Sequence, residues 1–428
     1  MATGNAASYS SSVTNMPDLY EKTNTAVMTG IKTRTEEYEW GDDMPDLMIT
    51  PSANEMRIPL KIQYQTGVAM IPEGGYEAVL GTAATIPGTV SFVQMNKRYS
   101  ITGLGQAFDK RGRAGMIIRQ TAFSAQSAVE AMARSWGLDT YGFSTATKAV
   151  IVSTLSAGTV QNGIGLKNAY GSSLIPATTT NQLTYLSNIF RAGENVAIIR
   201  SGSLIEFGNV VASPSVASGV GFIDVTFNSS ITPTANDLLV FANAVIDATV
   251  TGTDKNNAPN GFLDALTSTS LHGVSGSTYG PWNAAYANTA GGRWNFQLQE
   301  AMANAIANAS GLKMDRIILS QGVRRDAIAG ERAAMRYDST DFNLQGDLGG
   351  FKYLTSVLAP PGMAIGWYSG CVYKKLLSDK PGYEAGPSIF SLDKVQDRSA
   401  TAAKFDLFYF RAFTARGGLG YASALTEQ

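Results

Sequence analysis

The longest regular pattern in this sequence is a helical stripe between Lys110 and Trp136. Its apolar members follow one another at spacings of four, three, four, three and four residues: Ile118, Ala122, Ala125, Val129, Met132 and Trp136. Such spacing places them on one face of an α-helix. At 1.5 Å per residue the helix would be about 35 Å long. Gly137 stands where a C-terminal cap is expected, so the pattern predicts a long helix that ends there.

The composition favours a chain that is covered by copies of itself. Charged residues make up 16% of the 428 residues, against roughly 25% in a typical soluble protein. A surface with so few charges indicates that other subunits cover much of it. The net charge is −1 and the pI is near 6.0, so we expect any contact with nucleic acid to be weak and non-specific.

Side chains for catalysis or metal binding are scarce. The single cysteine, Cys371, lies in the apolar run GWYSGCVYKKLL and is predicted to be a small buried hydrophobe. The single histidine, His272, lies among small residues and is predicted to be a solvated loop residue, with no second imidazole for a zinc site. The sequence has no nucleotide-binding, metalloprotease, serine-hydrolase or paired-thiol motif. We therefore expect no enzyme activity, no metal and no cofactor.

The N-terminal quarter of the chain is predicted to form an arm followed by a ribbon. Residues 1–50 contain one short helix candidate, from Met16 to Thr29, and an acidic cluster at residues 36–43. The run RIPLKIQY then alternates with period two, and VSFVQMNKRYSITGLG is the predicted return strand, so 51–107 forms a long hairpin. A lone two-stranded ribbon is marginal in water, and we expect another subunit to support it.

The rest of the chain alternates between strands and helices. After a helix at Asn181 to Arg191, the runs ENVAIIRSG, SLIEFGNVVAS, VGFIDVTFNSSI and NDLLVFANAV predict a small sheet or barrel. A helix from Phe296 to Asn308, stopped by Gly311, precedes the strand MDRIILS and the helix GVRRDAIAGERAAM. The run FDLFYFRAF is apolar on both faces, as in a central strand. No apolar run approaches 18 residues and no signal peptide is evident, which predicts a chain that stays in the cytoplasm without membrane contact.

An arm, a long hairpin and a long helix in this order resemble the major capsid protein of tailed bacteriophages, the Hong Kong phage type fold shared with encapsulins. The run GGYEAVLGTAATIPGTVSFVQMNKRYSITGLGQAFDK resembles the outgoing half of that family's extended loop, where it enters the spine helix. The resemblance implies an α+β fold in six parts. These are an N-terminal arm (1–50), an extended hairpin loop (51–107), a peripheral domain with the spine helix (108–150), an inserted β-rich domain (181–250), an axial domain (251–380) and closing peripheral strands (381–428).

Nine charged residues are candidates for contacts between subunits. Cations are disfavoured at a helix N-terminus, so the basic cluster at the start of the long helix indicates an acidic partner, with packaged DNA as the alternative. The acidic arm of a neighbouring copy is the candidate partner, and basic residues of the ribbon are further candidates. The nine residues are Arg111, Arg113 and Arg119 of the helix, Glu36, Glu37 and Glu39 of the arm, and Lys61, Lys97 and Arg98 of the ribbon.

The function implied by the resemblance is that of a structural capsid subunit. Copies would form hexamers and pentamers of an icosahedral shell in the host bacterial cytoplasm and enclose double-stranded DNA in the virion. Further partners would be a portal and, in some systems, scaffold or decoration proteins. An encapsulin-like compartment is the alternative within the same fold, and the β-rich insertion favours the phage. A secreted surface-layer or adhesin-like protein is the alternative of another class, against which the missing signal peptide and the long helix argue.

Overall fold

The chain passes repeatedly between two units in this computed structural model. The structure describes residues 37, 40–43, 55–62, 85–91, 93–102, 117–175, 180–242, 258–334, 347–348, 351–376, 390–394 and 400–427. Unit 1 takes its described residues from 1–39, 93–137 and 376–409, and unit 2 takes its described residues from 40–92, 138–375 and 410–428. The predicted helix between Met16 and Thr29 lies outside the described residues.

Runs of strands are separated by single helices, as in an α+β fold. The helices are α1 (Ile117–Tyr141), α2 (Thr180–Ile189), α3 (Phe262–Thr267), α4 (Phe296–Ser310) and α5 (Gln321–Ala334). The strands before α2 are β1 (Asp42–Asp43), β2 (Glu55–Lys61), β3 (Thr85–Ser91), β4 (Val93–Thr102), β5 (Thr147–Ile151) and β6 (Gly158–Lys167). Those between α2 and α4 are β7 (Asn195–Arg200), β8 (Ser203–Val210), β9 (Ser215–Ala217), β10 (Val220–Ile231), β11 (Leu238–Phe241), β12 (Ser270–Leu271), β13 (Val274–Ser275) and β14 (Tyr286–Asn288). The remaining strands are β15 (Arg316–Ser320), β16 (Asp347–Leu348), β17 (Phe351–Ser356), β18 (Ala364–Trp367), β19 (Val372–Leu376), β20 (Phe390–Lys394), β21 (Ala400–Phe413) and β22 (Leu419–Ala422).

In unit 1, β21 is an interior strand, as its two apolar faces predict. It pairs antiparallel with β4 over ten residues and with β20 over five. The ring of Trp136 lies 4.3 Å from that of Tyr409. The predicted return strand of the hairpin is therefore wrong, because VQMNKRYSIT pairs with the C-terminal strand and β2 pairs instead with β3. The ribbon expected over 51–107 has its described rungs between Glu55 and Ser91.

The predicted long helix is confirmed as α1, but its predicted end at Gly137 is wrong. Met132 and Trp136 of the stripe are buried, and Ala128 and Ala133 flank them. The helix continues through Gly137 to Tyr141. A glycine inside a helix costs about 1 kcal/mol relative to alanine, and burying a large side chain contributes about 1.5–3 kcal/mol. Leu138 and Tyr141, at 1% and 0% exposed, therefore outweigh the glycine.

A closed β-barrel follows α1 in unit 2. Six strands run in the order β6-β5-β11-β7-β8-β10, and β6 also pairs with β10, so the sheet closes on itself, while β9 pairs with β10 beyond β8. Helix α2 packs against β10, where the Cβ position of Gly221 is 3.2 Å from the carbonyl oxygen of Leu183. The four predicted strands and α2 are confirmed. Strands β5 and β6 had no period in the sequence, because β5 is buried at all five positions and β6 carries a bulge where it faces β10.

A six-stranded mixed sheet forms the other half of unit 2. Its order is β14-β22-β18-β15-β17-β16, with parallel pairing in β14/β22 and β15/β17. Asn295 caps α4 by accepting the Leu298 N–H at 2.9 Å, and Gly311 ends the helix with φ 64°, as predicted. The predicted β15 and α5 are present. Strand β22, which lies in the predicted closing segment 381–428, pairs with β18 and β14, which lie in the predicted axial segment 251–380.

Candidate assembly surfaces

The base of the β2–β3 hairpin is built into the core of its own chain. Met56, Ile58 and Leu60 of β2 are at most 1% exposed and Val90 of β3 is 4% exposed. All four belong to the main hydrophobic cluster of unit 2. Burying each side chain contributes about 1.5–3 kcal/mol. The expectation that another subunit supports the ribbon is therefore wrong for this base. Period-two alternation in the sequence shows that one face of a strand is covered, but it does not identify the residues that cover it.

Both edges of the hairpin are fastened to unit 2 by backbone hydrogen bonds. The Lys61 N–H donates to the carbonyl oxygen of Thr414, and the Thr89 N–H donates to the carbonyl oxygen of His272, each at 3.0 Å. Both donors point away from the partner strand. In an antiparallel pair such residues occupy the non-hydrogen-bonded rungs, so Lys61 and Thr89 mark alternate rungs of the ladder.

A pair of prolines occupies the rung between these fastenings. Pro59 lies opposite Pro87, and both are exposed. On this rung the N–H groups would point outward, and proline has none. The hairpin edges therefore offer no donor there for an added strand. Contacts of the exposed face with another molecule would have to use side chains, among them Arg57 and Lys61.

His272 lies at the point where the hairpin meets the core. Its Nε2 accepts the Phe413 N–H at 3.1 Å, its ring stacks on Phe413 with centroids 6.3 Å apart, and its Nδ1 lies 3.2 Å from the amide nitrogen of Asn260. Because Nε2 is an acceptor, the neutral ring carries its proton on Nδ1. The Nδ1–H group then donates a hydrogen bond to the side-chain oxygen of Asn260. This requires that the oxygen and nitrogen of the Asn260 amide be interchanged.

The prediction of a solvated loop histidine is wrong. His272 is 5% exposed. Burial, and secondarily the positive charge of Arg416, lower the pKa of His272 from 6.5 to about 3. Small neighbours in the sequence indicated a loop, and the turn between β12 and β13 is one. The burial comes from β21, which is more than 120 residues away in the sequence, so local composition did not reveal it.

Arg416, which faces this histidine, is a buried guanidinium held by main-chain oxygens. It donates to the carbonyl oxygens of Ala265 at 2.6 Å, Ser268 at 2.8 Å and Trp282 at 3.2 Å. Two of these acceptors lie at the C-terminal end of α3, where a cation complements the helix dipole. Burial lowers the pKa of Arg416, and the carboxylate of Asp264 opposes that effect.

Cys371 is a buried thiol, as the sequence predicts. It is 0% exposed. Burial, reinforced by the charge of Asp315 and opposed by that of Lys61, raises the pKa of the Cys371 thiol to about 12. The thiolate is the reactive form, so this cysteine is unreactive near neutral pH.

The nine predicted contact residues are spread over both units and beyond the described residues. Lys61 is exposed in β2. Lys97 and Arg98 lie in β4, opposite Phe405 and Lys404 of β21. Arg119 lies in the first turns of α1, whereas Glu36, Glu39, Arg111 and Arg113 are outside the described residues. Glu37 is 5% exposed and interacts with its own chain, and its contact with a neighbouring copy stays a prediction.

Trp40 anchors the end of the arm in unit 2 and was not predicted. Its ring lies edge-on to Tyr141, with centroids 5.3 Å apart, and its carbonyl oxygen accepts the indole N–H of Trp367 at 3.3 Å. The next strand, β1, runs parallel to β19. A lone tryptophan within an acidic stretch was the available signal.

A polar cleft of about 180 Å³ lies in unit 2. Amide and hydroxyl side chains dominate it, with Arg325 and Glu427 as its charged groups. Glu427 is engaged within the chain, because its carboxylate accepts the Gly362 N–H at 2.8 Å and the Ser320 hydroxyl. The cleft has neither a histidine nor a cysteine. Among the described residues, no group of three or more His, Cys, Asp or Glu is arranged to hold a metal ion.

Among the helices of the described residues, none has the length and apolar character to cross a membrane.

Comparison with known proteins finds similarity in structure and not in sequence. No family model matches the chain, and no curated protein matches it. The solved structures that do match include phage capsids, and the similarity extends over about nine-tenths of the chain.

Three of these structures illustrate the similarity. The cyanophage A-1(L) capsid asymmetric unit is 10% identical, with 89% of this chain and 90% of that chain covered and a TM-score of 0.47. The capsid of a native GTA particle is 8% identical, with 91% and 90% covered and a TM-score of 0.41. The satellite phage P4 procapsid, which includes a size determination protein, is 7% identical, with 94% and 90% covered and a TM-score of 0.40. At these TM-scores the similarity assigns no role to any residue of this chain.

Proposed function

We propose that this chain is the major capsid subunit of a tailed phage. The single observation that carries the proposal is the order of its elements. An anchored arm segment, a hairpin, a long helix, a β-barrel and a mixed sheet with two helices follow one another along the chain, which is the order that the sequence resemblance implies. One fold can serve several functions, so assembly of the purified chain into shells is the deciding observation.

The proposed product is an icosahedral shell of hexamers and pentamers around double-stranded DNA. Its place would be the virion capsid, and its assembly would occur in the host bacterial cytoplasm with a portal and, where present, scaffold or decoration proteins. The six parts expected from the sequence remain our proposal for the domains, with β3 in place of the predicted return strand of the hairpin. The barrel begins at Thr147, and we propose that the inserted domain begins there too. We propose a structural role without catalysis.

Expression of the full chain and negative-stain microscopy of the purified product test the proposal. Closed shells of uniform diameter are expected. Nuclease-protected DNA inside shells made in infected cells would support the phage role, whereas a protein cargo would support the encapsulin-like alternative. A product that remains monomeric at concentrations well above micromolar would contradict both.

The basic cluster at the start of α1 provides a second test. We propose that Arg113 and Arg119 contact carboxylates of a neighbouring copy. Replacement of both by Glu would place like charges against each other, and each close pair of like charges costs up to several kcal/mol at an interface. Assembly should fail in this variant and recover partly at high salt. A double replacement by Gln is the matched control, which should assemble more weakly than wild type without the salt response.

A further inference from the structure

The hairpin is held at two points that share one residue. On the β3 side, the carbonyl oxygen of His272 accepts the Thr89 N–H. On the β2 side, Thr414 accepts the Lys61 N–H, and Phe413, the residue before Thr414, donates its own N–H to His272 Nε2. Through its main chain and its ring, His272 therefore connects both fastenings.

The backbone of His272 is held in place by a tight turn. Strands β12 and β13 pair Leu271 with Val274, so His272 and Gly273 form a two-residue hairpin loop. Their φ values are 54° and 79°, which is the type I′ arrangement. The left-handed region is open to Gly and, at modest cost, to Asn, Asp and His. The turn thus fixes the direction of the His272 carbonyl toward Thr89.

The spacing of the two fastenings resists pivoting of the hairpin. Thr89 lies opposite Arg57, and Lys61 lies four residues further along the same strand. At about 3.3 Å per residue the fastened rungs are about 13 Å apart. A single hydrogen bond would act as a pivot, whereas two separated bonds on opposite edges set an angle. The proline rung between them adds no further fastening.

We propose that His272 is a positioning residue that sets the angle of the β2–β3 hairpin against the rest of unit 2, and that this angle is required for assembly. The second part rests on the proposed capsid function. The Nε2 acceptor holds β21 at Phe413, the turn holds β3 at Thr89, and the hairpin cannot rotate without breaking one of them. A second copy of this chain is the partner whose binding depends on the angle.

Two substitutions at this position separate the acceptor from the turn. In His272→Asn the side chain tolerates φ near 54°, but its oxygen takes the place of Nδ1 and does not reach Phe413. In His272→Gln the side-chain oxygen takes the place of Nε2 and accepts the Phe413 N–H, although the left-handed backbone costs about 1 kcal/mol. The conservative variant should therefore rescue what the smaller one loses.

Hydrogen exchange measured by mass spectrometry on the full chain tests the fastening itself. In His272→Asn, peptides that contain Thr89 and Phe413 should exchange at least about tenfold faster than in wild type, because the local opening they share becomes easier. Peptides from β15 and β18 should be unchanged, which shows that the variant is folded. In His272→Gln the exchange should stay within about twofold of wild type.

Microscopy of the same preparations tests the link to assembly. The Asn variant should give no closed shells or shells of mixed diameter, and the Gln variant should give wild-type shells. Unchanged exchange in the Asn variant, or equal losses in both variants, would overturn the fastening. Faster exchange with wild-type shells would overturn the link to assembly. If wild type itself forms no shells, the proposed function fails, and the exchange comparison still decides the role of His272.

Discussion

Gly261 lies at a close approach of two backbone segments in unit 2. It is the N-cap of α3, and an added Cβ would lie 2.3 Å from the carbonyl oxygen of Gly142 and 2.8 Å from that of Asp139. These are main-chain atoms at the end of α1, so they cannot move as the tip of a side chain can. Here the requirement for glycine is steric, because its φ of −99° is open to any residue.

Gly261→Ala should therefore destabilise the protein by about 3 kcal/mol or more, the upper range for overpacking. Urea unfolding followed by circular dichroism measures this loss. Gly280 has nothing within 4 Å of its Cβ position, so Gly280→Ala is the matched control and should stay within about 0.5 kcal/mol of wild type. Equal stabilities of the two variants would contradict the close approach.

Burial of His272 makes stability depend on pH. Burial lowers the pKa of His272 to about 3 in the folded chain, from 6.5 for a histidine exposed to water. Between these values the unfolded chain binds a proton that the folded chain does not, so stability falls as pH decreases from 6.5 toward 3. At pH 5 the loss from this residue should be about 2 kcal/mol.

His272→Gln removes this contribution, and no other histidine is present in the chain. The free energy of unfolding should therefore fall from pH 7 to pH 5 by about 2 kcal/mol more in wild type than in the variant. Urea titrations of both proteins at the two pH values measure the difference. The same decrease in both would show that the imidazole is accessible to protons in the folded chain.

At the scale of elements, a buried ion pair joins the last turn of α1 to the barrel. Lys148 of β5 donates to Asp139 at 2.7 Å, with side chains 1% and 13% exposed. The ammonium group also lies 5.5 Å from the ring centroid of Phe241 and 5.9 Å from that of Tyr170. Removing one partner of such a pair leaves an uncompensated buried charge, which costs more than the pair contributes.

Asp139→Leu should destabilise the chain by about 3–5 kcal/mol. Lys148→Met in the same chain should restore most of that loss, because an apolar pair of similar volume can replace a buried ion pair. A double-mutant cycle from urea unfolding gives the coupling free energy. Additive losses in the double variant would contradict a buried pair.

At the scale of the whole molecule, the C-terminal residues join three separate parts of the mixed-sheet half of unit 2. The Leu425 N–H donates to Gly362, and the Thr426 N–H donates to Gly292. The Thr426 hydroxyl also donates to Asp326 at 3.1 Å, and Arg293 holds the same carboxylate at 2.9 and 3.0 Å. Glu427 lies over Gly322 at the start of α5, where a carboxylate complements the helix dipole.

Truncation after Ser423 should therefore lower the free energy of unfolding by on the order of 3 kcal/mol, from the buried Leu425 and the lost hydrogen bonds. Thermal unfolding of the purified chain measures the effect as a lower Tm. Glu427→Gln keeps an acceptor for Gly362 and is the matched control, with a smaller expected loss. An unchanged Tm after truncation would show that the C-terminal residues contribute nothing to the sheet.

The sequence by itself determined those helices and strands in which the spacing of apolar residues matches the face that is buried. Helix α4 with its Gly311 stop, the β15–α5 pair, the strands β7, β8, β10 and β11, and the buried alternation of β2 could all be predicted, because local patterning reports which face is covered. The anchoring role of Trp40, the burial of His272 and the uniformly buried β5 were not predicted, because the segments that cover these residues are distant in the sequence.

Tertiary structure alone decided the partners. The pairing of β4 with β21 and of β22 with β18 joins segments about 300 and about 55 residues apart, and long-range pairing depends on which surfaces meet rather than on local preference. At the end of α1, tertiary burial again outweighs local preference, because the burial of Leu138 and Tyr141 stabilises the helix more than Gly137 destabilises it. The hairpin shows it most directly: its sequence specifies an apolar face, and the core of its own chain covers that face at the base.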